Sequence, residues 1–352
     1  MKIIRRYITV HLLWVTMLAL FLLVALFSFF TLIDELGEAG KGSYGIPQVL
    51  LYVILTVPRA AYELFPIAAV IGSMVVLGIM AQNSELDVIR TSGVSRFGLA
   101  MLLARCGLVL VLISVVLGEF IAPASEEKAQ HMRSVAMTRQ ITLKTKHGLW
   151  SRNGNRFINI KKVLSGNRMQ DVYIYEFDND DRLRSSVFAK GAEYRDGHWI
   201  MHDIEQSLID DQGVRRRDIK LATWNSLLDP DMINVVIVKP QSLSIWELAG
   251  YIRYLRHNAQ NTQIYEQALW SKLIRPFSIL AMIMLAVVLV RGHSRYSAIG
   301  QRVFIGALAG IIFHLCNEVS AHIGVVYGIS PAVSVTAPTL LLGLTLAFML
   351  RE

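Results

Sequence analysis

The sequence predicts an α-helical integral membrane protein with six transmembrane helices, three before and three after an inserted all-β, jelly-roll-like domain. Three observations carry that expectation. Of 352 residues, 53% are hydrophobic and only 18% charged, and mean hydropathy is +0.44, which is more apolar surface than a soluble core can bury. Six apolar runs approach the roughly 20 residues that a helix needs to cross about 30 Å of hydrocarbon. Between the third and fourth runs lies a long polar interval with the alternation and turn residues of strands.

The first run is Ile8 to Ile33, preceded by Lys2, Arg5 and Arg6; its length and the lack of a small-residue cleavage site favour a retained anchor over a signal peptide. Leu64 to Met80 is the second, extended by the largely apolar stretch from Pro47 to Tyr62. Gly98 to Ala122 is the third, interrupted by Arg105 and Glu119. Leu273 to Val290, Val303 to Val326 and Ala332 to Leu350 complete the set.

Orientation is read from the basic residues of short loops, which concentrate on the cytoplasmic side. One set of loops holds Lys2, Arg5, Arg6, Arg90, Arg96, Arg291, Arg295, Arg302 and Arg351; the opposite segments hold only Lys41 and Arg59. Both termini are therefore expected inside and the middle of the chain outside. The net charge of +8 fits the same flanks and anionic lipid, and points away from nucleic acid. The only cysteines, Cys106 and Cys316, lie within apolar runs, so the polar middle has no disulfide framework and no thiol metal cluster.

The expected division is spans one to three over 1–122, a β domain over 123–241, an amphipathic helix and connector over 242–272, and spans four to six over 273–352. Within the β domain, Tyr173, Tyr175 and Phe177 share one face of a strand, and Trp199 with Met201 repeats the pattern. Asn153-Gly154 and Asp196-Gly197 read as hairpin turns, with further turn clusters at 178–181 and 210–213. After Pro240 the period changes: Ser244 with Glu247 forms a capping box, and Ile245, Leu248, Ile252 and Leu255 make one helix face.

The inside loop around 84–92 reads as a short helix. Ser84 is its expected cap, Glu85 and Asp87 lie at its positive end, Arg90 near its C-terminus, and Gly93 at a left-handed exit. About two turns of helix are marginal in water, so the segment either docks on a partner or lies on the membrane surface. Gly40-Lys41 is no phosphate loop, because Glu35 and Gly42 stand where a glycine and a Ser or Thr are required. Neither Gly-x-Ser-x-Gly nor His-Glu-x-x-His occurs. His314, Glu318 and His322, with Asn317 beside them, share a face of span five; packing, a cavity wall and a metal-dependent intramembrane enzyme are its three readings. Gly306 and Gly310 form a small-xxx-small pair suited to close helix approach.

The Ser-Glu-Leu then Ser-Gly pattern of the 84–93 loop, the three-plus-three layout, Gly148-Leu149-Trp150, Trp270-Ser271-Lys272 and Tyr327-Gly328-Ile329-Ser330-Pro331 together resemble the LptF/LptG family of lipopolysaccharide export permeases, and its LptG branch more than the LptF branch. The resemblance covers essentially the whole chain. It implies a bacterial inner-membrane heterodimer of LptF and LptG driven by a dimer of the cytoplasmic ATPase LptB. That machine lifts lipopolysaccharide to a periplasmic β bridge begun by LptC and continued by LptA. No cofactor is then expected in this chain; ATP and magnesium belong to the partner. Glu85, Leu86, Asp87, Ile89 and Arg90 become the ATPase-coupling residues, and the β domain becomes periplasmic. Arg133, Lys41 and Lys128 become candidate ligands for lipopolysaccharide phosphate, guanidinium being the favoured partner because it binds bidentately. Where family members carry lysines after span one, this chain has Gly37 and Glu38, with Lys41 later.

Overall fold

The computed structural model describes residues 2–138, 149–153, 155–164, 168–178, 182–195, 198–210, 213–224, 240–258, 260–290 and 299–351. Helices α1 (Lys2–Leu36), α2 (Ile46–Gln82), the short α3 (Glu85–Thr91) and α4 (Arg96–Val116) open the chain. A π turn (Leu117–Ile121) joins α4 to α5 (Ala122–Thr138) without a break. Strands β1 (Leu149–Asn153), β2 (Arg156–Leu164), β3 (Arg168–Phe177), β4 (Leu183–Arg195), β5 (His198–Asp210) and β6 (Gly213–Trp224) follow. A 3₁₀ turn (Pro240–Ser242) leads to α6 (Ile245–His257), α7 (Gln263–Val290), α8 (Ile299–Tyr327) and α9 (Pro331–Arg351). Among the described residues, six helical stretches, in α1, α2, α4 with α5, α7, α8 and α9, are long and apolar enough to cross a membrane.

In the most apolar stretch of α2, 72% of residues are buried, against 11% in α8, so α2 is the central pillar and α8 lies at the margin of this chain. Gly306 and Gly310 let α8 reach the pillar: a Cβ there would come within 3.2 Å of the Ile71 Cα and 3.0 Å of the Ile67 side chain. Prolines free backbone carbonyls inside the bundle, and neighbouring spans take them up. Pro66 has no N–H for the Tyr62 carbonyl, which accepts instead from Arg275 Nη1 at 3.1 Å. Pro338 likewise frees the Ser334 carbonyl, to which Ser320 Oγ donates. In the π turn the Ala122 N–H returns to Leu117, and the Gly118 carbonyl would need an N–H from Pro123; Lys272 Nζ supplies the donor at 2.8 Å.

The β domain was expected to begin at residue 123, but 122–138 is helix. Ala, Glu, Lys, Gln and Met dominate that segment, and these strong helix formers prolong span three well beyond Ala122. Ser84 also departs from expectation. At φ 59 it is left-handed, whereas a side-chain cap needs an extended backbone, so it contributes only its carbonyl, which accepts from the Val88 N–H. Gly93 does exit at positive φ, 88°. Asn153 ends β1 and pairs with Arg156, while Gly154, Asp196-Gly197 and parts of the turn clusters at 178–181 and 210–213 lie outside the described residues.

The six strands form one antiparallel meander in chain order. A crease crosses it. Lys161, Asp171, Lys190, Asp203 and Lys220, opposite one another on five successive strands and alternating in charge, are left out of the ladder pairing, while the pairs on either side keep one register. Asp171 and Asp203 are left-handed there, at φ 54 and 49. At this line the buried face slips by one residue, from Met169 to Val172, Ala192 to Ala189 and Met201 to Ile204, which keeps one apolar core continuous on both sides of the bend. Tyr173, Tyr175 and Phe177 do share a face, but it is the half-exposed one, in ring contact with Phe188, Trp150 and Phe157 respectively. Helix α6 is capped reciprocally by Ser244 and Glu247, buries Leu248, Tyr251, Ile252 and Leu255, and sends Tyr254 against the sheet core.

Candidate functional site

Two polar assemblies gather at the end of the bundle nearest the sheet. The first joins α1, α2 and α5. Glu35, at the end of α1, accepts from Arg133 Nε at 3.0 Å and from the Tyr44 hydroxyl at 3.0 Å, and the guanidinium lies 5.5 Å from the Tyr52 ring centre. Burial first, then Glu35, pushes the Tyr44 phenol well up, so it stays a donor. Arg133 is thus tied internally, with its side chain 30% exposed. Lys41 pairs with Glu38 at 2.6 Å, and that contact holds the Glu38 carboxyl below its usual range. Lys128 is exposed on α5, five residues before Arg133 and so about 140° round the helix from it. Lys128 therefore faces away from Arg133, whereas the Lys41–Glu38 pair lies within electrostatic reach of it.

The second assembly lines an open cavity of about 620 Å³ between α2, α7 and α8, beneath Gln241 and Ser242. Lys272 bonds Glu119 Oε1 at 2.8 Å with its side chain only 4% exposed, and Glu119 Oε2 accepts the first N–H of α6, from Ile245, at 2.7 Å. One carboxylate in the π turn thereby fixes span four and the start of the amphipathic helix. Gly118 beside it packs flat against Tyr62, whose ring any Cβ would strike. Arg275 lies over that same ring, 4.3 Å from its centre. Arg59 spans Glu63 at 2.9 Å and the buried Glu126 at 3.1 Å. His314, Asn317, Glu318 and His322 line this cavity too. Glu318 and His322 are 3.9 Å apart with side chains 59% and 79% exposed, and among the described residues no three His, Cys, Asp or Glu side chains are arranged to share a metal ion.

Helix α3 lies at the opposite end. Leu86 and Ile89 are buried in the bundle core, where their apolar side chains hold the helix in place. Glu85 accepts from the Tyr7 hydroxyl at 3.3 Å, Asp87 is half-buried, and Val88 is presented outward, 68% exposed. Arg90 lies in the helix, but its side chain falls outside the described residues.

Sequence reasoning passed over Glu35, Glu126, Lys272 as a buried cation, Arg275 and Val88. Prolines were the available signal for two of them: Pro66 and Pro123 inside apolar helices demand donors, and the Lys272-x-x-Arg275 pair at the start of span four supplies both.

Comparison with known proteins fits this architecture. The family model described as lipopolysaccharide export system permease LptF/LptG matches residues 6–352. The lipopolysaccharide export system permease protein LptG of Escherichia coli (strain K12) is 32% identical over 337 residues, covering 95% of this chain and 94% of that protein. The protein of the same name from Haemophilus influenzae is 31% identical over 338 residues, covering 96% and 94%. The chain, with its six apolar helices and its sheet inserted between the third and the fourth, belongs to the LptF/LptG family of lipopolysaccharide export permeases.

Proposed function

We propose that the chain is the LptG-type subunit of an ATP-driven exporter that takes lipopolysaccharide from the bacterial inner membrane and passes it to a periplasmic β bridge. The observation that carries this reading is the likeness to LptG over 95% of the chain. An LptF-type chain is the second half of the permease, an LptB dimer hydrolyses ATP with magnesium, and LptC with LptA receives the lipid. The termini are cytoplasmic and the sheet periplasmic, as the basic loops favour. Helix α3 is the coupling element: Leu86 and Ile89 anchor it, while Glu85, Asp87, Arg90 and the exposed Val88 meet the ATPase. Arg133, Lys41 and Lys128 meet lipid phosphate, Arg133 and Lys41 by exchanging their internal carboxylates Glu35 and Glu38 for it. The stripe of His314, Asn317, Glu318 and His322 is a cavity wall.

The test is purification from the native membrane with identification of bound proteins and lipid by mass spectrometry, followed by ATP-dependent release of lipopolysaccharide from proteoliposomes to LptA. Stoichiometric LptF and LptB with release is the expected result. Activity of the isolated chain without an ATPase would overturn the reading.

A further inference from the structure

The cavity between α2, α7 and α8 carries charge of both signs that its own walls leave unneutralised. Lys272 is matched by Glu119, and Arg59 by Glu63 and Glu126. Arg275 differs. It spends one N–H on the Tyr62 carbonyl and rests on the Tyr62 ring, and among the described residues it has no carboxylate partner. A guanidinium has five donors, and Arg275, which lines the cavity, engages one of them in this hydrogen bond. Glu318 lines the same space, and the His322 ring stands 3.9 Å from its carboxylate, beyond hydrogen-bond distance. Ile67, Phe313 and Val335 supply apolar wall beside these charges. The cavity lies towards the sheet end of the bundle, lined by residues of spans two to five. Its 620 Å³ suits a headgroup with the root of its chains.

We propose that this cavity binds a lipid whose headgroup carries a phosphodiester and a primary ammonium, as in phosphoethanolamine. The phosphodiester takes the open edge of Arg275 and the ammonium the Glu318 carboxylate, while the first methylenes lie on Ile67 and Phe313. A purely anionic headgroup would satisfy Arg275 and leave Glu318 facing it; a choline headgroup would present methyl groups where Glu318 requires N–H donors. The inference concerns a resident lipid of the membrane and does not require the export reading.

The test is native mass spectrometry of the delipidated full chain with equal amounts of phosphatidylethanolamine, phosphatidylglycerol and phosphatidylcholine of matched acyl chains. The ethanolamine lipid should be retained several-fold over both others. Arg275→Ala should weaken its retention about tenfold or more, the loss of one charge-assisted hydrogen bond. Glu318→Gln, at a largely exposed position, should keep the fold and remove the preference for ethanolamine over glycerol. Arg275→Lys should restore part of the loss, and thermal unfolding of each variant separates binding from misfolding. Displacement by soluble phosphoethanolamine supports recognition of the headgroup alone; preference without displacement supports recognition of the intact lipid. Equal retention of the three lipids, or unchanged retention in a folded Glu318→Gln chain, overturns the proposal. Neither outcome touches lipopolysaccharide release, which is measured separately.

Discussion

Glu35 and Arg133, 98 residues apart in the chain, form an ion pair of 3.0 Å that ties the end of span one to the helical extension of span three. The pair has a structural role that is separable from any contact with lipid phosphate. Arg133→Glu should lower the melting temperature in detergent, and Glu35→Arg combined with it should recover most of the loss. In lipopolysaccharide crosslinking from a probe placed beside position 133, the swapped protein should remain deficient. Full recovery of crosslinking in the swapped protein would make Arg133 a strut only.

Lys272→Met leaves the Glu119 carboxylate and the Gly118 carbonyl without their shared cation. Breaking a buried pair in this way costs about 3–5 kcal/mol. Glu119→Gln should cost less, because an amide oxygen still accepts from Ile245 and Lys272 keeps the Gly118 carbonyl. Thermal unfolding of the two variants should rank them in that order, and the reverse ranking would contradict the role given to the π turn.

At the crease, Asp203→Gly should be close to neutral, since glycine tolerates positive φ and its gain in unfolded-chain entropy is about 0.5–1 kcal/mol. Asp203→Val should destabilise the sheet by about 1–3 kcal/mol, a β-branched residue being forced into the left-handed region. The fluorescence of the buried Trp199 on the same strand reports the transition.

On α3 the exposed and buried residues should separate cleanly. Val88→Glu should leave the melting temperature unchanged and abolish copurification of the ATPase. Leu86→Glu buries a charge in the core and should prevent accumulation of folded protein. Normal ATPase recovery with Val88→Glu would place the docking surface elsewhere.

Orientation is open to thiol labelling in a background carrying Cys106→Ser and Cys316→Ser. A cysteine at the exposed Arg182 should react with an impermeant maleimide added outside intact spheroplasts, and one at the exposed Thr91 should not. Reaction at Thr91 would invert the topology.

The spans were legible because apolar runs of membrane length have no other stable environment, and the capping box of α6 because Ser244 and Glu247 are local in sequence. The start of the β domain was misplaced because span three continues as polar helix, Ala122–Thr138, where hydropathy no longer reports secondary structure. The crease escaped notice because a period-two pattern that slips by one residue resembles two short unrelated strands. Arg133 could be singled out through the family resemblance, but Glu35 could not, since pairing across 98 residues depends on how helices pack. The His314 stripe was visible as a face, yet its neighbours Arg275 and Tyr62 come from helices far apart in sequence.

Because the unpaired positions and the slip of the buried face lie on one transverse line, the sheet is divided into two panels joined by a seam of charged residues. Each panel keeps its own inward pattern, so exchanging one panel for that of a relative would leave the pattern of the other intact. Crossovers placed at Lys161, Asp171, Lys190, Asp203 and Lys220 would then yield chimaeras in which the panel next to the bundle and the distal panel are inherited independently. The fold thus offers a modular boundary that runs across its strands instead of along them.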